Sequence, residues 1–384
     1  MRLIDIIVEI TGNISRLQKE NGSFMAGHNG PYFDNETPVR STSHFLILMS
    51  GCQNLTNNKK YKDKIYKSAE YLCSKDARPY GYTFYHRDKE NKDKCNGLIG
   101  QAWTIEALVE ATKTLEDAKY HKVGEELFLQ HPFNYESGLW NRLEINGDII
   151  SVDKTFNHQL WFAACSSMLF KNNDLENRIR TFMGFLAENM DTDGNGLILH
   201  SLKNKNKTEN IQKASLKKNK GKSISSFLNN TYKTIFDKKI KNDYEKIKYK
   251  SIGYHSFNMY AFALLKEQVP VHEFWNSLLF IKTLDYMLSS GYRASLNKNI
   301  YGYPYNPPGF EIPYALNIFS DLIKGKSGKN IDHWINEQII RCYNKNTGML
   351  DRNTTDPIIQ SARMYELIRV PAEILGRIEI ESRI

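Results

Sequence analysis

The side chains of this 384-residue chain best suited to chemistry stand in short polar stretches spread along its length. They are Asp34, Glu36 and Arg40; His86, Arg87 and Asp88; Asn141, Arg142 and Asp153; Arg293 and Glu311; and Asp351, Arg352 and Asp356. Two carboxylates set across a cavity can hydrolyse a glycosidic bond, one protonating the leaving oxygen and the other activating water. Asp88 and Asp153 are the candidates for that pair, with Asp34 and Asp351 in reserve. An apolar, aromatic setting would raise the pKa of the acid member, as proton donation near neutrality requires. Arg40, Arg87, Arg142, Arg293 and Arg352 recur at equivalent places, and guanidinium forks match a carboxylate or phosphate. The plainer reading is that each pairs with a carboxylate of its own loop, as Arg87 with Asp88.

Histidines offer a second chemistry. His44 and His158 follow the glycines Gly22 and Gly138 by 22 and 20 residues, Gln101 follows Gly81 by 20, and His255 takes the matching place in a longer unit. Two imidazoles can take a proton from a sugar carbon and return it, which makes His158 and His255 the pair for an epimerase. A lone buried histidine is more often a satisfied structural residue, and no two of these stand at i, i+3 or i+4, so neither a metal nor a cofactor is assigned. Aromatic side chains with polar tips collect in the same stretches, among them Trp161, Tyr254, Tyr303 and Tyr305, and suit a sugar's C–H face and hydroxyls. Asp34, Arg40, His44, Gln101 and the remaining arginines complete the expected binding set.

The elements that must position these groups follow from a period. A glycine recurs at Gly22, Gly81, Gly138, Gly196, Gly291 and Gly348, with gaps of 59, 57, 58, 95 and 57 residues, and a bulky apolar residue follows it directly in all but the first, where Ser23 precedes Phe24. After each comes a polar, aromatic loop, then a helix apolar nearly all round, then a helix with one polar face, so each unit reads as a buried and a half-exposed helix. Leu3, Ile6, Ile10 and Ile14 make the N-terminus an amphipathic outer helix, and a helix over Ala362–Leu367 closes the sixth unit. Six such hairpins predict an all-α fold, an (α/α)6 toroid of residues 1–384.

The long fourth gap locates an insert at 203–250, with 15 lysines, no arginine and four acids, a charge of +11 that leaves −2 for the rest of the chain. The formal +9 therefore says little about the scaffold, and nucleic acid is not an expected partner. The segment reads as a solvated loop, with contact to a membrane surface or an anionic polymer as the alternative. The five cysteines are widely spaced and read as buried thiols of a reducing compartment. No stretch is apolar enough to span a bilayer, and a cytoplasmic location is expected. Asp191-Thr-Asp-Gly-Asn-Gly opens like a calcium loop, but Leu202 stands where a bidentate glutamate is required.

The glycine turns and their inner helices resemble the six-hairpin glycosidase and N-acylglucosamine 2-epimerase-like superfamily. Within it, Gly22-Ser-Phe-Met-Ala-Gly-His-Asn-Gly-Pro-Tyr-Phe-Asp-Asn-Glu-Thr-Pro-Val-Arg is similar to poorly characterised proteins of surface-polysaccharide and protein-glycosylation gene clusters. A faint likeness to terpenoid cyclases fails for want of an aspartate cluster. The resemblance implies a carbohydrate-active enzyme, but such toroids host several chemistries. The leading expectation is a glycoside hydrolase acting on an anionic sugar or glycan. The alternatives are a sugar epimerase using the histidine pair and a non-catalytic glycan-binding protein.

Overall fold

The computed structural model describes residues 1–169, 172–203, 226–328 and 330–381, and between 226 and 241 it describes the backbone alone. Six inner elements form a ring: Pro38–Thr56, Gly97–Leu115, Phe156–Ser167, the long helix Ser226–Gln268, Pro308–Ile318, and Pro357–Ala362 continued by the 3₁₀ segment Arg363–Arg369. Each packs on the next, and Arg363–Arg369 packs on both Pro308–Ile318 and Pro38–Thr56, which closes the circle. The protein is an (α/α)6 toroid.

The burial of the elements explains their layering. Every residue of Phe156–Ser167 is buried except His158. Such a helix cannot lie at a surface, because each large apolar side chain returned to water costs about 2 kcal/mol. The outer partners Leu3–Ser15, Lys62–Leu72, Ala118–Gln130, Asn173–Gly184, Leu278–Leu288 and Ile331–Cys342 bury one face each. Leu3–Ser15 meets the sixth unit: Asn13 Nδ2 donates to the carbonyls of Thr347 and Gly348, both at 3.2 Å. The N-terminal helix thus completes the last hairpin.

Five of the period glycines adopt left-handed backbone, from Gly348 at φ 61° to Gly196 at φ 97°. At Gly196 a Cβ would also stand 2.2 Å from the Lys282 carbonyl, so the turn needs glycine twice over. One side chain of the inner helix then captures the N–H two or three residues on. Phe24 donates to Thr42 Oγ1 at 3.0 Å, Phe84 to Gln101 Oε1 at 2.8 Å, Trp140 to Gln159 Oε1 at 3.0 Å, Ile198 to His255 Nδ1 at 3.4 Å and Leu350 to Ser361 Oγ at 3.0 Å. This staple fixes each loop against its helix and sets the height of those side chains.

Three sequence expectations change here. Gly291 is not a left-handed turn but lies within the short helix Ser290–Ser295, because the Ser289 side chain caps Tyr292 and carries one helix into the next. Two small antiparallel sheets interrupt the all-α pattern, Phe133–Asn134 with Leu139–Leu143 and Ile149–Val152, and Met190–Thr192 with Ile198–Leu202. In the 203–250 insert, residues 204–225 lie outside the described residues, but from Ser226 the chain is helical and runs unbroken into the fourth inner helix, so a solvated loop does not describe its second half. Among the described residues no helix is long and apolar enough to cross a membrane.

Candidate functional site

The starts of the inner helices converge on one end of the ring. Thr37 caps Val39 ahead of Pro38, and Asp356 caps Ile359 ahead of Pro357, so two cap-and-proline pairs fix where helices begin beside the loops. Asp153 serves two helix starts at once, accepting from the Leu98 and Thr155 N–H groups, both at 3.1 Å. Helix starts present unpaired N–H groups and a partial positive charge, which favours an anion in front of them.

These starts enclose a cavity of about 170 Å³. Of the residues expected from sequence, Asp34, Arg40, Arg87, His158, Tyr254 and Tyr305 line it. Lys92, His200, Lys250 and Arg363 line it too, so five cations face one carboxylate, Asp34. Asp34 is itself held by Lys92 Nζ at 2.6 Å, with Arg87 Nη1 at 3.7 Å.

His158 alone escapes burial on its helix because its ring opens onto this space. Its Nδ1 meets Asp153 Oδ2 at 2.8 Å, which orients the ring and leaves Nε2 as the reactive edge. Burial works to raise the Asp153 pKa, but the His158 charge and hydrogen bond and the two backbone donors outweigh it and hold the carboxyl at about 2. His200, on the strand Ile198–Leu202 beside the third inner helix, packs its ring 4.6 Å from Tyr254. Burial, then Lys250 and His158, keeps its pKa well below the usual imidazole range, so it is neutral near pH 7. Burial likewise lowers Lys250 to about 8, with Lys92 adding to the effect.

Several buried polar atoms of the lining have no hydrogen-bond partner: Arg40 Nε and Nη2, His200 Nδ1, Asn157 Oδ1 and Trp103 Nε1. Buried polar groups are nearly always satisfied, and these are left open as are others away from the cavity, such as His86 Nδ1 and the Tyr260 hydroxyl. Arg40 spends only Nη1, on Glu36 at 2.8 Å and Asn29 at 3.2 Å, while its guanidinium lies 4.1 Å over the Trp103 ring. Arg363, by contrast, is fully engaged by Glu311, Glu366, Asn306 and the Tyr305 carbonyl.

The other expected residues lie elsewhere. Asp88 is exposed and accepts from Tyr85 at 2.7 Å, and Asp153 stands behind His158 with a depressed pKa, so the two do not form an acid and base across the cavity. His255 is fully buried, bonding the Ile198 N–H through Nδ1 and the Thr283 carbonyl through Nε2 at 3.1 Å. Gln101 is wholly used by its turn, and His44 is buried between Trp103 and Tyr365. Trp161 is core, its indole N–H given to the Phe257 carbonyl at 3.1 Å. Arg142 pairs with Asp93 at 2.7 Å, the carboxylate that also holds Arg87 at 2.5 Å. Arg293 lies over Trp334, Tyr303 lies under Arg341, and Arg352 is exposed and donates to the Tyr343 carbonyl.

No protein-family model matches the chain. A relative from Haloferax volcanii, archaeal glycosylation protein Q, is 37% identical over 370 residues, spanning 96% of this chain and 97% of its own. The chain belongs to the archaeal glycosylation protein Q family. Its fold is shared with an alpha-1,6-mannanase of Salegentibacter sp. HEL1_6 (TM-score 0.57, 12% identity, 97% of this chain and 99% of that one). It is shared also with cellobiose 2-epimerase of Bacillus thermoamylovorans (0.60, 10%, 95% and 98%) and an unsaturated glucuronyl hydrolase specific for heparin (0.60, 10%, 97% and 97%). At such identities the likeness shows the shared (α/α)6 fold alone.

Sequence reading missed four titratable lining residues. Lys250 was absorbed into the basic insert, although the helix carries it inward. His200 and Lys92 gave no signal beyond their nearness to turn loops. Arg363 could have been found, since Arg363 and Glu366 put opposite charges one turn apart in an otherwise apolar stretch.

Proposed function

We propose that this protein is a carbohydrate-active enzyme that moves a proton at a carbon of an acidic sugar, an epimerase or isomerase rather than a hydrolase. The observation that carries this reading is His158, the one residue of its inner helix left unburied, held by Asp153 and placed in the same cavity as the neutral imidazole of His200. In this reading His158 Nε2 removes the proton from the carbon beside the sugar's carboxylate. The bonding pair becomes an enediolate, whose oxygens meet the free N–H groups of Arg40. An imidazole then returns a proton to the same carbon, and no bond to a leaving group breaks. Lys250, with no ion pair among the described residues, supports an anionic substrate, and Tyr32, Tyr254 and Tyr305 supply ring faces for the sugar.

The hydrolase expectation loses its residues rather than its plausibility as a superfamily chemistry. Asp34 is the one carboxylate in the lining and is already neutralised by Lys92, whereas hydrolysis calls for two. Incubation with uronic-acid oligosaccharides in deuterated water tests the choice. Deuterium at one ring carbon without chain shortening is expected, and shortened chains without ring deuterium would reverse the assignment.

A further inference from the structure

Two cations stand at different points of the cavity: Arg40, whose charge is met by Glu36 while part of its guanidinium makes no hydrogen bond, and Lys250. Arg40 keeps Nε and Nη2 unpartnered next to Trp103, with Tyr305 at 6.0 Å. Lys250 makes no ion pair among the described residues; its Nζ lies 4.9 Å from the Tyr32 ring and 5.6 Å from that of Tyr254. Between them come the tyrosines themselves, with Tyr305 5.9 Å from Tyr32 and 6.1 Å from Tyr254. A tyrosine-lined space with unbonded guanidinium N–H groups at one side and an unpaired ammonium at the other fits one sugar with a carboxylate to accept from the first and a second anionic group to meet the other. The planar fork of Arg40 suits the carboxylate, while a compact ammonium suits phosphate as a point charge.

Resting on the acidic-sugar reading above, we propose that the substrate is a glycosyl phosphate ester of a uronic acid, its phosphate held by Lys250. A sugar linked to phosphate through its anomeric carbon cannot open its ring. The exchangeable proton is then the one beside the carboxylate, the end that Arg40 takes. The groups facing Lys250 are Lys92 from the second loop, Tyr32 from the first, His200 from the strand Ile198–Leu202 and Tyr254 from its own helix, and none brings a carboxylate to it. With Lys250 lowered to about 8, its hold on phosphate should weaken as pH rises through that value.

Calorimetry with glucuronic acid 1-phosphate and methyl glucuronide tests this. The protein should prefer the phosphate by about tenfold, Lys250→Arg should keep the preference, and Lys250→Met should erase it, the preference being read in each protein as the ratio of its two affinities. Equal affinities in the unsubstituted protein, or a preference that survives Lys250→Met, would overturn the proposal. Nucleoside-diphosphate and short prenyl-phosphate esters of glucuronic acid separate the two sources of phosphate. Tighter binding of either than of methyl glucuronide supports the ester, and weaker binding of both overturns it. Binding is read without turnover, so a missing phosphate preference beside intact His158-dependent exchange would sink this inference alone.

Discussion

His158 and His255 sit on neighbouring inner helices, at matching heights once the long fourth unit is allowed for, and their rings serve different neighbours. In the third unit the turn is held by Gln159, whose amide donates to the Trp140 and Asp153 carbonyls at 2.8 and 3.0 Å. That releases His158, one residue earlier, to face the cavity. In the fourth unit no glutamine stands at the turn, and His255 does the work itself. Height on the inner helix is therefore set by the repeat, while availability for chemistry is decided by which side chain the turn consumes.

The largest effect should come from breaking the cavity side of this contrast. Asp153→Asn removes the charge that orients His158, and His158→Asn removes the imidazole. Proton exchange into substrate should fall by about 10²-fold or more in each, the usual worth of a positioned acid or base. Because Asp153 also holds two helix starts, its variant should unfold at a lower temperature, whereas His158→Asn should not.

On the turn side, Gln159→Leu leaves the Trp140 N–H and the Asp153 carbonyl without partners, while the Trp140 carbonyl keeps the Asp153 N–H at 3.3 Å, at about 1 to 3 kcal/mol for each orphaned group that water cannot reach. Chemical denaturation should show that loss, with activity per folded molecule largely kept.

His255→Gln sharpens the comparison further, since glutamine is what the second and third units already use. It should cost about 1 kcal/mol, less than His255→Ala, which leaves both a void and an orphaned N–H. Burial lowers the His255 pKa to about 4, partly offset by its bond to Thr283. A base whose folded pKa is depressed contributes stability that is present above the unfolded value of about 6.5 and is lost as pH falls from there toward 4. The glutamine variant should therefore lose less stability over that window, leaving the parts due to the other histidines that burial lowers, His44, His86, His131, His200 and His272.

An effect of similar size should come at Gly81, where a Cβ meets nothing within 4 Å and only the left-handed φ of 76° is strained. Gly81→Ala should cost about 1 to 2 kcal/mol, and Gly196→Ala, blocked by the Lys282 carbonyl, clearly more.

The same contrast explains what was legible in the sequence. The period of turn glycines gave the ring, because left-handed backbone leaves a residue-type signature. The fifth unit hid its departure, since Gly291 looks like the others until Ser289 is seen to cap a helix there. The level of His44, Gln101, His158 and His255 was readable, but not that turns claim some of them, because that depends on the side chain one or two positions away. Lys250 was unreadable for a different reason: charge counting groups it with the insert, and only helix continuity over Ser226–Gln268 turns it inward.

The most direct test places the two histidines side by side in one exchange assay. Deuterium uptake at a ring carbon of a uronic-acid substrate should vanish in His158→Gln and persist, per folded molecule, in His255→Gln. Uptake that survives in the first and disappears in a well-folded second would contradict the assignment of catalysis to the cavity and of His255 to the turn.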